Sequence, residues 1–341
     1  IVILSAPKNP RILSLPIHPM RIYRQLAELP TAHGPVVATI GNFDGVHLGH
    51  QGVIAEVIER ARFLDGQSLA ITFDPHPARI LRPEHPQPLL TPLTRKLELL
   101  DNTGIDATLV LPFTESFCRM TAREFATDIL VNAILVTEVH EGENFRFGYH
   151  AEAGIDGLET LGRELGFRVT VYAPRSVRGG PVSSSRIRKL IAEGEVSKAR
   201  ALLGRPFAID STPAPGRGYG ARYAVPTINL APYAELLPAH GVYITTLTVG
   251  SGSVAETFES VTNVGNRPTF GSDSFAVESH LLNFHPLEGD QSLTELTPLR
   301  LTFLRRLRAE QAFPNTRALR DQITRDVTQA RRYFTLCRIL A

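Results

Sequence analysis

The stretch "GNFDGVHLGHQ" (Gly41–Gln51) gathers two imidazoles, a carboxylate and three glycines into one short run. Gly41, Gly45 and Gly49 allow a ligand close to the backbone. His47 and His50 stand three residues apart, so at the start of a helix both can face one side. A helix N-terminus already favours anions through its free N–H groups and its dipole. Two imidazoles placed there would grip a phosphate chain and stabilise charge while an α-phosphorus is attacked. That is electrophilic stabilisation of a direct displacement, with no covalent intermediate. The plain alternative is a glycine-rich turn with incidental histidines. Asp44 reads equally as a turn-forming Asx residue or as a ligand contact.

A second group of this kind is "VSSSRIRKL" (Val182–Leu190). Ser183, Ser184 and Ser185 offer hydroxyls that can cap a helix. Arg186 and Arg188 carry the planar fork suited to phosphate. Alone, the segment reads as well as a capped helix with a solvated basic face. Beside the histidine turn it supplies the second side from which a triphosphate can be held.

The elements that must position these groups follow from hydrophobic patterning. "VVATI" (Val36–Ile40) is a short β-branched run and predicts a buried strand directly before the histidine turn. Val53, Ile54, Val57, Ile58 and Ala61 share one helical face directly after it. Further strands are expected over Ser68–Phe73, Ala107–Phe113, Ile134–Val139 and Arg168–Ala173, and Thr121 with Glu124 forms a capping box for a helix to about Leu130. Strands separated by helices predict a doubly wound α/β domain with a parallel sheet. In such sheets ligands bind beyond the carboxyl ends of the strands. After Gly204 the pattern changes. Strands over Gly241–Val249, Phe258–Val264, Ser274–Phe284 and Leu299–Leu304, with few helices between them, predict a small antiparallel β-barrel or sandwich. A terminal amphipathic helix is expected, capped by Thr316 and burying Leu319, Ile323, Val327 and Phe334. The division expected is 1–19 as a flexible or non-native extension before Met20, 20–204 as the α/β domain and 205–341 as the barrel domain, with Ser211–Gly220 as a loop.

Composition bounds the function classes. The chain has 341 residues, 43% hydrophobic and 21% charged, with a formal net charge of +2. That is ordinary for a soluble two-domain protein and gives no global basic field for nucleic acid or an anionic membrane. No apolar run is long enough for a membrane span. Cys118 and Cys337 form neither a metal-ligand pattern nor a disulfide framework, which fits a reducing compartment. A cytoplasmic location is expected.

"GNFDGVHLGHQ", "TFDPHP" (Thr72–Pro77), "ENFRFG" (Glu143–Gly148) and "SSSRIRKLIAEGEVSKARALLGRPF" (Ser183–Phe207) together resemble the bifunctional bacterial riboflavin kinase/FAD synthetase family, in order and from about Met20 onward. The resemblance implies that the N-terminal half belongs to the nucleotidylyltransferase superfamily and makes FAD from FMN and ATP, releasing pyrophosphate. By it, His47 and His50 contact the ATP phosphates, and Gly41, Phe43, Asp44 and Gly45 belong to the same nucleotide loop. Arg188 would brace the triphosphate, with Ser185 near the nucleotide. Asn144 and Phe147 would help form the flavin side of the adenylylation site, and His76 and Pro77 would shape a loop over it.

The C-terminal half carries the family's kinase signatures. "VPTINL" (Val225–Leu230) resembles its Pro-Thr-Ala-Asn motif, so Thr227 and Asn229 would bind Mg–ATP. A hydroxyl and an amide oxygen are reasonable ligands for a magnesium ion that keeps most of its waters. "NVGNRPTF" (Asn263–Phe270) resembles the flavin-side segment. "VESHLLNF" (Val277–Phe284) resembles the strand with the catalytic glutamate, making Glu278 the general base for the ribityl hydroxyl. Riboflavin, FMN and ATP are the implied small-molecule partners, without nucleic acid or membrane; oligomeric state is open. The chain departs from the family at Ala221, where an Arg is expected, and at Ala224 and Asp210, where Gly is expected; Arg217 or Arg222 could compensate. No "YG" follows the glutamate strand, where "LEGD" (Leu287–Asp290) stands nearby. Two alternatives therefore stay open: an FAD synthetase with an impaired or specialised kinase half, and a flavin-binding regulator.

Overall fold

The computed structural model describes residues 19–30, 34–214, 227–266, 275–283 and 293–339. The expected extension, except Pro19, lies outside the described residues, as do Arg217, Ala221, Arg222, Ala224 and Leu287–Asp290. The chain forms two compact units. One draws on residues up to Asn42 with Val53–Leu81 and Leu97–Tyr172; the other on Phe43–Gly52, Arg82–Lys96 and Ala173 onward.

The first unit is built on a six-stranded sheet of β1 (Arg21–Tyr23), β2 (Val36–Ile40), β3 (Gln67–Asp74), β4 (Ala107–Pro112), β5 (Val136–Gly142) and β6 (Arg168–Tyr172), in the order β1-β4-β3-β2-β5-β6. All five pairings are parallel. Parallel strands need crossovers that cover both faces, so all five residues of β2 are buried. Val36, Ala38 and Ile40 face a core with Leu130 and Leu158, while Val37 meets Val57 and Ala61 of the helix Leu48–Phe63. Strand order reverses at β2, and there the chain enters the histidine turn. The capping box of Thr121 and Glu124 is present, but the helix beyond it, Phe125–Ala133, is a π-helix rather than the expected α-helix. The wider coil turns Phe125, Ala126, Ile129 and Leu130 into the core.

In the second unit a two-residue-per-strand hairpin, β7 (Ser176–Val177) with β8 (Gly180–Pro181), precedes the helices Ser184–Ala192 and Val196–Leu203. Six antiparallel strands follow: β9 (Phe207–Ser211), β10 (Thr227–Leu230), β11 (Gly241–Val249), β12 (Glu256–Asn266), β13 (Phe275–Leu281) and β14 (Leu299–Ala309), in the order β10-β13-β12-β11-β14-β9. The sheet curls until its edges meet. Ala214 N–H donates to the Asn229 carbonyl at 2.9 Å and Ala231 N–H to that of Thr212 at 2.8 Å. Closing the edges leaves fewer unpaired backbone groups. Alternation sends Tyr243, Leu247, Phe258, Val264, Val277 and Leu281 inward. A buried hydroxyl layer joins them: Thr245 bonds Ser260 and Thr262, at 2.7 and 2.6 Å, and Thr262 donates to Ser279 at 3.0 Å. Ile187, Ile191, Ala199, Leu202 and Leu203 share this hydrophobic cluster, so both helices pack with the barrel.

The terminal helix, Thr316–Ile339, differs from expectation in its cap and its buried face. Asn315 provides the cap, its Oδ1 accepting from Ala318 N–H at 2.9 Å. Phe334 is buried as expected, but Leu319 and Ile323 are exposed, and Asp326 and Ala330 are buried in their place. The reason is a charge on the barrel. Arg308 of β14 donates to Asp326 through Nε at 3.0 Å and through its terminal nitrogen at 2.9 Å. That pair sets the helix rotation, and Ala330 and Phe334 then cover Val242, Ile244 and Val261.

Breaking a buried ion pair by removing one partner costs about 3–5 kcal/mol, whereas an exposed pair contributes about 0–1. Asp326→Ala should therefore destabilise the protein by several-fold more than Arg338→Ala, whose exposed guanidinium pairs with Glu259. Urea unfolding checks this, and equal losses would show that the Asp326 pair does not fix the helix.

Candidate active site

The corner that follows β2 is strained. Phe43, Gly45 and Val46 have φ of 45°, 84° and 35°, in the left-handed region. For a β-branched residue such as Val46 this costs about 1–3 kcal/mol and persists only where surroundings impose it. Gly45 suits its φ of 84°, and a Cβ there would stand 2.8 Å from Leu90 Cδ1, which would have to shift.

The surroundings are side chains from distant segments of the same unit. Ser184 Oγ donates to the Asp44 carbonyl at 2.9 Å. Arg205 donates to the Gly45 carbonyl at 2.7 Å and to that of Val46 at 3.2 Å. Gln51 Nε2 donates to the Val46 carbonyl at 2.7 Å, and Gly45 N–H donates to Thr91 Oγ1 at 3.0 Å. The Asp44 carboxylate is buried. It accepts from the N–H groups of Leu90 (3.1 Å) and Thr91 (2.9 Å) and pairs with the Arg188 guanidinium. Of the two readings open for Asp44, the geometry is that of an anchor inside the turn.

The imidazoles of His47 and His50 stack with centroids 3.6 Å apart and planes 15° apart, and Phe43 meets His50 edge-on at 5.3 Å. The His50 N–H points at His47 Nδ1 at 3.3 Å, which assigns the His47 proton to Nε2. Burial lowers the His47 pKa to about 4; Asp44 opposes this, while Arg205 and Arg188 add to it. Burial, then His47 and Lys96, lower that of His50 far below the ordinary value. Its Nδ1 is buried and has no hydrogen-bond partner among the described residues. Two neutral imidazoles therefore lie near the cations of Lys96, Arg188 and Arg205 and near the Asp44 carboxylate that Arg188 engages. An anion entering there would raise both imidazole pKa values.

Thus Phe43, Asp44, Gly45, His47, His50 and Arg188 come together. Ser183 caps the helix Ser184–Ala192 by accepting from Arg186 N–H, and Ser185 is exposed in its first turn. Gly41 ends the first unit's sheet, its N–H donating to the Ile71 carbonyl at 2.9 Å. Asn144 and Phe147 belong to that first unit: Asn144 is exposed, while Phe147 is buried and stacks on Phe145 at 5.4 Å. Arg205 and the buried Lys96 escaped the sequence reading. Arg205 lies in the "GRPF" run already noted; Lys96 carries no local signal beyond a basic residue on an amphipathic helix.

Barrel register assembles the second group. Asn229 pairs with Glu278, Glu278 with Asn263, and Thr227 with His280 across adjacent strands. Residues directly opposite share a face. Ser279, between Glu278 and His280, points into the buried hydroxyl layer, so Thr227, Asn229, Glu278 and Asn263 lie together on the other face. Thr227 Oγ1 stands 3.4 Å from His280 Nδ1. Hydroxyl, amide and carboxylate oxygens side by side are the donor set that suits magnesium carrying its own waters and phosphate ligands. Asp210 of β9, a departure from the family pattern, is matched by Arg300 on β14 at 2.5 Å.

The His47 shift fixes the sign of a pH effect. Above pH 7 this imidazole is neutral whether the chain is folded or not. Between the ordinary value of 6.5 and about 4 only the unfolded chain takes up the proton, so stability falls as pH falls through that window. The His47 share is about 3 kcal/mol near pH 4. Urea unfolding at pH 7.5 and 4.5 should show a smaller loss for His47→Gln than for the unaltered protein; identical losses would refute the assignment.

Family models match both halves of the chain. A family model described as FAD synthetase matches residues 29–186, and one described as riboflavin kinase matches residues 203–334. A bifunctional riboflavin kinase/FMN adenylyltransferase of Pseudomonas fluorescens is 34% identical over 313 residues, 92% of this chain and 97% of the relative. The protein of that name from Escherichia coli K12 is 32% identical over 301 residues, 88% of this chain and 93% of the relative. A crystal structure from Streptococcus pneumoniae, described as a macrolide-efflux protein, superposes with a TM-score of 0.79 at 24% identity, over 92% of this chain and 98% of that one. At that identity it speaks for the fold alone. With both family models matched in order and relatives covered almost end to end, the chain belongs to the family of bifunctional riboflavin kinase/FMN adenylyltransferases.

Proposed function

We infer that this chain phosphorylates riboflavin to FMN and adenylylates FMN to FAD. The observation that carries the reading is the corner after β2, where two stacked neutral imidazoles lie beside Arg188 and Arg205 and the buried Nδ1 of His50 has no hydrogen-bond partner among the described residues. In adenylylation an FMN phosphate oxygen attacks the α-phosphorus of ATP, the α–β bridging bond breaks, and pyrophosphate leaves with the electron pair. His47 and His50 would hold the phosphate chain as neutral donors and stabilise the charge that builds on it, and Arg188, fixed by Asp44, would brace the triphosphate. Phe43, Gly41 and Gly45 shape that loop, Ser185 would sit beside the nucleotide, and Asn144 with Phe147 would serve the flavin side.

In phosphorylation the ribityl hydroxyl oxygen attacks the γ-phosphorus and ADP leaves. Glu278 would accept the hydroxyl proton on a carboxylate oxygen. Thr227 and Asn229 would hold a magnesium ion together with ATP; when bound, that ion neutralises charge on the phosphate oxygens. The proposed division of labour is adenylylation by residues 20–204 and phosphorylation by residues 205–341. Among the described residues no helix is long and apolar enough to cross a membrane. A cytoplasmic site of action belongs to the same proposal, as does dependence on small molecules alone.

Chromatography of products from riboflavin or FMN with Mg–ATP tests the reading. Both FMN and FAD should form from riboflavin. Glu278→Ala should lower FMN formation by about 10²–10⁴-fold and leave conversion of supplied FMN to FAD intact. His47→Ala should lower FAD formation by about 10²–10³-fold and spare FMN formation. Loss of both activities in either folded variant would refute two separate sites.

A further inference from the structure

We propose that Arg205 is a positioning residue for adenylyl transfer, holding from the C-terminal half the corner that carries His47 and His50. The proposal rests on the adenylylation reading given above. Arg205 lies within the segment matched by the riboflavin kinase model and outside the segment matched by the FAD synthetase model. Its guanidinium nevertheless reaches a turn 160 residues earlier in the chain, donating to the Gly45 carbonyl at 2.7 Å. The other terminal nitrogen donates to the Val46 carbonyl at 3.2 Å and the Leu203 carbonyl at 3.4 Å.

The two carbonyls it holds belong to the two residues whose φ is 84° and 35°. In that conformation their oxygens are turned away from helical partners and need donors from elsewhere. Gln51 also serves Val46, and it too is fixed by the region around Arg205, since its Nε2 donates to the Leu203 carbonyl at 3.2 Å. The residue after Val46 is His47. A shift of about 1 Å at the turn would therefore move both stacked rings off their phosphate positions, and displacements of that size cost about 10²-fold in rate. Because the terminal nitrogens are committed to backbone carbonyls, Arg205 acts through the loop and not on the nucleotide. Lysine cannot replace it, since one ammonium lacks the planar fork that spans both carbonyls.

The test uses the full chain and both activities. Unaltered protein must first convert FMN to FAD; if it does not, the adenylylation reading fails and this proposal falls with it. Given that activity, Arg205→Ala and Arg205→Lys should each lower kcat for FAD formation by about 10–10²-fold while riboflavin phosphorylation stays within about twofold. Millimolar guanidinium ion should restore part of the FAD-forming rate to Arg205→Ala and none to Arg205→Lys. FAD formation within threefold of the unaltered rate in both variants would overturn the proposal. So would a parallel fall of both activities in Arg205→Lys, which keeps the charge and most of the side-chain volume.

Discussion

Asp44 is a carboxylate almost sealed from water, and the corner that carries His47 and His50 is arranged around its charge. An unpaired buried carboxylate would be costly, so its oxygens must be filled by donors. The N–H groups of Leu90 and Thr91 and the guanidinium of Arg188 do that. One group thereby ties three chain segments together: the turn after β2, the stretch before residue 96 and the start of the helix Ser184–Ala192. Strain at Phe43 and Val46 is affordable only inside such a frame. The same frame offsets the turn's carboxylate with the Arg188 guanidinium, while Arg205 and Lys96 are further cations that act on His47 and His50.

The barrel solves a different problem with alternation. Each strand must bury one face, and a period of two then presents every second residue to the opposite side. Ser279 closes the internal hydroxyl layer, which forces Glu278 outward. Pairing of β13 with β10 and β12 sets Asn229 and Asn263 beside it. The terminal helix covers another part of that outer surface through Asp326, Ala330 and Phe334. A slip of one residue would reverse every assignment, so the site depends on register more than on any local motif.

Packing and sequence kinship divide the chain differently. The FAD synthetase match ends at residue 186, yet the turn with His47 and His50 packs with residues from 173 onward, in the unit that also holds the barrel. Leu90, Ile187, Leu203 and Phe207 belong to one hydrophobic cluster with the barrel strands. The histidine corner is thus supported by the core it shares with the barrel strands.

Local patterns determined much of this in advance. The β-branched run Val36–Ile40, the buried face of the helix after it, the capping box at Thr121 and the barrel strands were all legible, because periodicity and propensity are properties of neighbouring residues. The family likeness pointed to His47, His50, Arg188, Thr227, Asn229 and Glu278 as expected site residues for the same reason, since each sits in a short contiguous motif. What could not be read was the choice of partner across long stretches of chain. The terminal helix shows this: its apolar residues suggested Leu319 and Ile323 as the buried face, but Arg308 on a barrel strand drew Asp326 inward and turned them out. Nothing near Asp44 in the sequence names its partner Arg188, 144 positions away. Arg205 had no visible task until its fork was found on the carbonyls of Gly45 and Val46. Short-range regularity is written in order along the chain, whereas which charge meets which carbonyl is settled only when burial removes water as the competing partner.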